Sequence, residues 1–138
     1  MNYFKSINTQ VKPYPEEIIQ ACLVHITQAL NYYHDAEWVH LNVNPSTVFA
    51  TKAGKYKLND YKYSMIVEND QIEDGIQFDD KQYLAPEIIS SNLITLKNDI
   101  FSLGLVLYEL MSVSCEKVKP DTYADFDFVK DPAPTFYS

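Results

Sequence analysis

The stretch NDIFSLGLVLYELMS, residues 98–112, carries apolar side chains at Ile100, Phe101, Leu103, Leu105, Val106, Leu107, Tyr108, Leu110 and Met111, which leaves no polar face on a helical wheel. A helix that is apolar all round is expected to be buried all round. At 1.5 Å per residue it would run roughly 22 Å, the width of a small domain and short of a bilayer span. It is a core axle rather than a membrane anchor. Burying six or more of its large side chains would contribute on the order of 10 kcal/mol before chain entropy is charged against it. Asn98 and Asp99 precede the apolar run, where a carboxylate can cap the first turn at the positive end of the helix dipole.

Working outward, the chain has 138 residues, 46% of them hydrophobic, which is one domain's length and enough apolar content for a real core. Formal net charge is −8, and all 11 basic residues are lysine, so no guanidinium is available to fork onto phosphate. Nucleic acid and anionic membrane are not expected as partners. The N-terminal residues MNYFKSINTQ lack the apolar core of a signal peptide, and Cys22 and Cys115 form neither a disulfide framework nor a metal motif. A reducing, cytoplasmic setting is the expectation.

Residues 1–14 are polar and irregular, and Pro13 and Pro15 with the acidic pair Glu16 and Glu17 announce a helix start. Ile18, Ile19, Cys22, Leu23, Ile26, Ala29, Leu30 and Tyr33 then recur at steps of three and four, predicting an amphipathic helix over residues 16–34. His25 and His34 on it read as surface or core histidines, since no second ligand stands one turn away. Beyond Asp35 come short β-type runs at residues 38–40, 47–51 and 56–58. The last two form a hairpin through Lys52, Ala53, Gly54 and Lys55. Residues 68–80 form an acidic loop, residues 85–91 a short helix around Pro86, and residues 115–138 a tail with aromatics that need somewhere to dock.

The order of these pieces resembles the large lobe of the eukaryotic protein kinase family. His40-Leu41-Asn42-Val43-Asn44-Pro45-Ser46-Thr47 lies on the frame of the family's catalytic loop, H-R-D-L-x-x-x-N. Asp60-Tyr61-Lys62 falls where the family has D-F-G. Ala85-Pro86-Glu87, after Tyr83-Leu84, is an intact A-P-E, and Asn98 to Gly104 resembles the D-x-W-S-x-G that opens the family's central helix. The resemblance covers about residues 15–111, and residues 132–138 look like the stretch ahead of a later kinase helix. It implies a fold that is α+β but mainly α: a partial kinase-like domain over 1–138, its large-lobe core at about 15–112, a hairpin patch, a tail at 113–138, and no small lobe.

The same resemblance implies lost chemistry. No glycine-rich phosphate loop, V-A-I-K lysine or partner glutamate helix precedes the first helix. Asn42 stands at the catalytic base, where an amide has no proton affinity near neutrality. Asn44 stands where the family's lysine places a positive charge, and Thr47 where its asparagine holds a second Mg²⁺. Asp60 alone keeps the character of its counterpart, either as a metal-binding carboxylate or as the cap of a turn. Lys62 puts a cation and a Cβ where the family has glycine.

The arginine that reads a phosphorylated activation segment is Leu41 here, no Ser, Thr or Tyr lies between Met65 and Gln82, and the threonine ahead of A-P-E is Asp80. What the resemblance leaves is architectural. His40 and Tyr61 stack toward the central helix, Asp99 accepts backbone N–H groups of the His40 loop, Ala85, Pro86, Glu87 and Gly104 complete the motifs, and Phe49 joins Val106 and Leu110 in the core.

The expected function is therefore a pseudokinase-like piece that binds or scaffolds protein, with no cofactor and with self-association through exposed surfaces. One alternative is a divergent Ser/Thr kinase using ATP and Mg²⁺ with a small lobe supplied from elsewhere. Another is a non-functional gene remnant.

Overall fold

The computed structural model describes residues 14–68 and 76–112. The early irregular segment up to Pro13, the middle of the acidic loop and the aromatic tail lie outside them. Helix α1 spans Glu16–Asp35, entered through Pro15 without a side-chain cap and with Glu16 and Glu17 at the positive end of its dipole. Ile19, Cys22, Ile26 and Leu30 form its buried stripe. Leu23, expected in that stripe, is 40% exposed, because the packed arc follows one line of steps of three and four and Leu23 lies beside it.

Strands β1 (Trp38–Val39), β2 (Val48–Ala50), β3 (Tyr56–Leu58) and β4 (Met65–Ile66) follow. They pair as two separate antiparallel ribbons, β1 with β4 and β2 with β3. The β2–β3 hairpin sets Val48 opposite Leu58 and Ala50 opposite Tyr56, and it closes through Gly54 at φ +76°, where a side chain would be strained. Period two then decides the inner face: Val48, Tyr56 and Leu58 are buried, while Phe49 is only partly so and is no member of the core cluster. Val48, one residue earlier, fills the place against Val106 and Leu110 that the sequence assigned to Phe49.

Helix α2 (Pro86–Ser91) has Pro86 at its first turn and stops at Asn92 in the left-handed region, φ 52°. Helix α3 (Lys97–Ser112) crosses α1 with Leu103, Val106 and Leu110 inward, so that α1, the hairpin and α3 enclose one core. A second cluster gathers Val39, Leu41, Leu84, Ala85, Ile88 and Ile94 on the other side of the catalytic-loop frame. Helix α3 is not buried all round, since Ile100 in its first turn is 52% exposed. Being apolar around the whole wheel does not bury a residue that no other element reaches. Gly104 also faces outward, and a Cβ there would meet open space.

Candidate functional site

The stretch between α1 and β2 is hung from one carboxylate. Asp99, fully buried in the first turn of α3, accepts the His40 N–H at 2.8 Å on Oδ2 and the Leu41 N–H at 2.9 Å on Oδ1. The His34 Nε2–H donates to the same Oδ2 at 2.9 Å. Leu41 adopts φ 61° to aim its N–H this way, a conformation unfavourable for leucine that persists only because the surroundings fix it. Asp99 is therefore an acceptor for a loop and a helix far away in sequence. Asn98 is engaged beside it, taking the Thr95 N–H on Oδ1 at 2.7 Å and donating Nδ2 to Glu87 Oε1 at 2.6 Å. The A-P-E helix is thereby tied to the start of α3.

His40 is fully buried, and its ring is read out by its partners. Nε2–H donates to the Asn59 carbonyl at 3.1 Å, and Nδ1 accepts the Asn42 N–H at 3.1 Å. A proton on Nδ1 would face that N–H. Burial lowers its pKa below the ordinary 6.5, outweighing the nearby carboxylates of Asp99 and Asp60. Its ring meets Tyr61 edge-on, with centroids 5.2 Å apart. Tyr61, 46% exposed, stacks on Tyr33 of α1 at 5.4 Å and 7° rather than reaching the central helix, and its hydroxyl donates to the Leu58 carbonyl at 2.7 Å.

The residues that the resemblance places at the catalytic positions bond largely to one another. Asn42 Nδ2 donates to the Asp60 carbonyl at 3.3 Å. Asn44 Nδ2 donates to the carbonyl and to Oδ1 of Asn42, each at 3.1 Å, while its Oδ1 accepts the Ser46 N–H at 2.8 Å and the Ser46 hydroxyl at 2.5 Å. The Thr47 hydroxyl, in a buried residue, donates to the Asn42 carbonyl at 2.7 Å and accepts the Asn44 N–H at 3.1 Å. Asn42, Asn44, Asp80, Tyr83 and Ser102 are among the residues lining a shallow, open hollow. Its polar rim offers amides, hydroxyls and one carboxylate, and no lysine.

Asp60 sits at φ 60° with its side chain exposed. Among the described residues no three His, Cys, Asp or Glu side chains stand together as a metal site. The Thr47 hydroxyl, turned to backbone groups, is committed elsewhere. The donor set present does not fit the pair of Mg²⁺ ions that a kinase site holds.

Two contributions were missed by sequence reasoning. His34, read as a surface or core histidine, bonds Asp99, 65 residues away. His25 turns inward too, its Nδ1 accepting the Tyr56 N–H of the hairpin at 3.1 Å. No local spacing signals either contact.

A loop hung from a buried aspartate at the start of a central helix, followed by a hairpin, a D-x-x turn and an A-P-E helix bound to that same helix, defines a protein kinase-type domain. The chain belongs to the protein kinase domain family, whose model matches residues 1–122. It is similar to the mitosis inhibitor protein kinase mik1 of Schizosaccharomyces pombe, with 32% identity over 117 residues, 79% of this chain and 20% of mik1. It is also similar to the mitosis inhibitor protein kinase SWE1 of Saccharomyces cerevisiae, with 36% identity over 102 residues, 72% of this chain and 12% of SWE1. The protein kinase-like protein SCY1 of the same yeast shares 31% over 106 residues, 67% of this chain and 13% of SCY1. The chain thus spans about a fifth or less of the length of these relatives.

Proposed function

We propose that this chain is the large-lobe part of a pseudokinase: a kinase-type module that does not transfer phosphate and acts by binding protein. The observation that carries this reading is Asn42. At the position the resemblance gives to the base stands an amide, its Nδ2 donating to the Asp60 carbonyl and its Oδ1 accepting from Asn44 Nδ2, and an amide has no proton affinity near neutrality for a base to use. Asn44 and Thr47 support it, since the donors that would meet a phosphoryl group or a second metal ion are bonded within their own loop.

The rival reading, an active Ser/Thr-type kinase, draws on the names of mik1 and SWE1 and on the retained Asp60. The name of SCY1, a protein kinase-like protein, fits the inactive reading equally well.

The test is phosphotransfer. Purified protein supplied with radiolabelled ATP, Mg²⁺ and a generic protein acceptor should incorporate label at the background level of an Asn42→Ala control, and its melting temperature should not respond to Mg²⁺-ATP. Transfer by the unmutated protein that is lost in Asp60→Ala would establish the active kinase instead.

A further inference from the structure

Residues 76–84 run up to the A-P-E helix along the face of the catalytic loop. Where the resemblance places a phosphate-reading arginine, Leu41 is 3% exposed and belongs to the apolar cluster of Val39, Leu84, Ala85 and Ile88. Ile76, Phe78 and Tyr63 pack against that cluster. The Tyr63 and Phe78 rings meet at 4.9 Å between centroids, and the Asp79 N–H donates to the Tyr63 hydroxyl at 2.9 Å. Lys62 Nζ pairs with the Asp79 carboxylate and lies 4.9 Å from the centroid of the Tyr63 ring. The neighbouring Tyr61 is fixed on the opposite side by Tyr33 and the Leu58 carbonyl.

From this geometry we propose that Lys62, Tyr63, Phe78 and Asp79, packed through their two aromatic rings on the cluster that contains Leu41, form a clasp that holds residues 76–84 against the catalytic loop without phosphorylation. The segment needs no covalent mark because its anchor is apolar. A phosphate-reading site brings a loop in by charge and lets it go when the phosphate is removed. Here the arginine's place is taken by a buried leucine in the apolar cluster against which Phe78 and Tyr63 pack, and no hydroxyl-bearing residue lies between Met65 and Gln82.

Within the clasp the apolar part dominates. Lys62 and Asp79 are largely exposed, and an ion pair in that setting is weak and screened by salt. The aromatic contact and the Tyr63 hydroxyl supply direction. The surface beside Asn42 and Asp80 is consequently a standing one, displayed without a phosphate on residues 66–81. The inference holds whether or not the chain transfers phosphate.

Hydrogen exchange on the purified protein tests it. Amides of residues 78–84 should be protected before and after phosphatase treatment alike. Phe78→Ala should accelerate exchange across residues 76–80 by about tenfold or more while the amides of Ile26 and Leu30 in α1 keep their protection, as local opening below the global limit requires. Lys62→Ala should act more weakly, and its effect should fade at high salt. Should Phe78→Ala fail to fold, as the α1 amides would report, Tyr63→Phe removes only the hydroxyl and should still speed the Asp79 amide about threefold. Unprotected amides at 78–84 in the parent, release by phosphatase, or rates unchanged in Phe78→Ala or Tyr63→Phe would each overturn the clasp.

Discussion

The two ends of the loop that begins at His40 are built on opposite plans. At its start, the N–H groups of His40 and Leu41 enter a carboxylate with no exposed surface, and His34 reaches the same carboxylate from another helix. From Asn42 onward stand the three amide and hydroxyl side chains that the resemblance places at base, cation and metal ligand; those of Asn44 and Thr47 bond to their own loop, and that of Asn42 donates to the Asp60 carbonyl. The first end joins elements 58 to 65 residues apart, whereas the contacts of the second reach no further than the 18 residues from Asn42 to Asp60. The carboxylate that assembles the fold and the side chains at Asn42, Asn44 and Thr47 are held by separate sets of bonds, so either can be altered without the other.

That separation is broken most severely at Asp99. Asp99→Ala leaves the His40 and Leu41 N–H groups without their acceptor in a buried site and removes the partner of the partly buried His34, which costs about 3–5 kcal/mol when a buried charged acceptor is removed. Against total stabilities of roughly 5–15 kcal/mol, much of the protein should be unfolded. Urea denaturation followed by circular dichroism measures the loss, and a variant within about 1 kcal/mol of the parent would mean that the loop does not hang from α3.

A smaller effect tests the same end by pH. His40 is held neutral by burial, with its pKa below 6.5, so the unfolded chain binds the proton first as pH falls. His40's contribution is therefore complete above 6.5 and declines from there toward its lower folded pKa. Melting temperature should drop between about pH 7.5 and about pH 5.5, and the drop should shrink in His40→Gln, which can keep both hydrogen bonds. An equal drop in that variant would place the titration elsewhere.

The smallest effect belongs to the other end. Asn44→Ala loses bonds confined to its own loop, in a part-exposed position where water can substitute, and stability should move by no more than about 1 kcal/mol. A loss as large as that of Asp99→Ala would erase the contrast between the two ends.

How much of this was legible beforehand follows the same division. Helix α1, the hairpin, the short helix at Pro86 and α3 declare themselves through periodicity, Pro and Gly, and they came out at nearly the expected residues. Strand β4 did not, because two residues carry no period, and its existence depends on pairing Met65 with Val39. Phe49 and Val48 exchanged roles because alternation fixes which residues share a face, not which face turns inward. Ile100 was misjudged for a related reason: a helical wheel says nothing about what the other elements cover. Within the site, the residues at motif positions could be located from the resemblance alone. The contacts that connect them, from His34 to Asp99 and from Asn42 to the Asp60 carbonyl, depend on side chains meeting across folded chain.

Cys22 has no exposed surface in the core between α1, the hairpin and α3, and burial pushes its thiol up to about 12. Only about one thiol in ten thousand would be ionised at pH 8, and that thiolate would still be out of reach of a reagent. Native protein can therefore be labelled there only through moments in which the core comes apart. With Cys115 replaced by serine, the rate at which a thiol reagent enters, divided by its rate on the denatured chain, counts those moments. The residue is a stopwatch sealed inside the domain, reading out how often the whole assembly lets go.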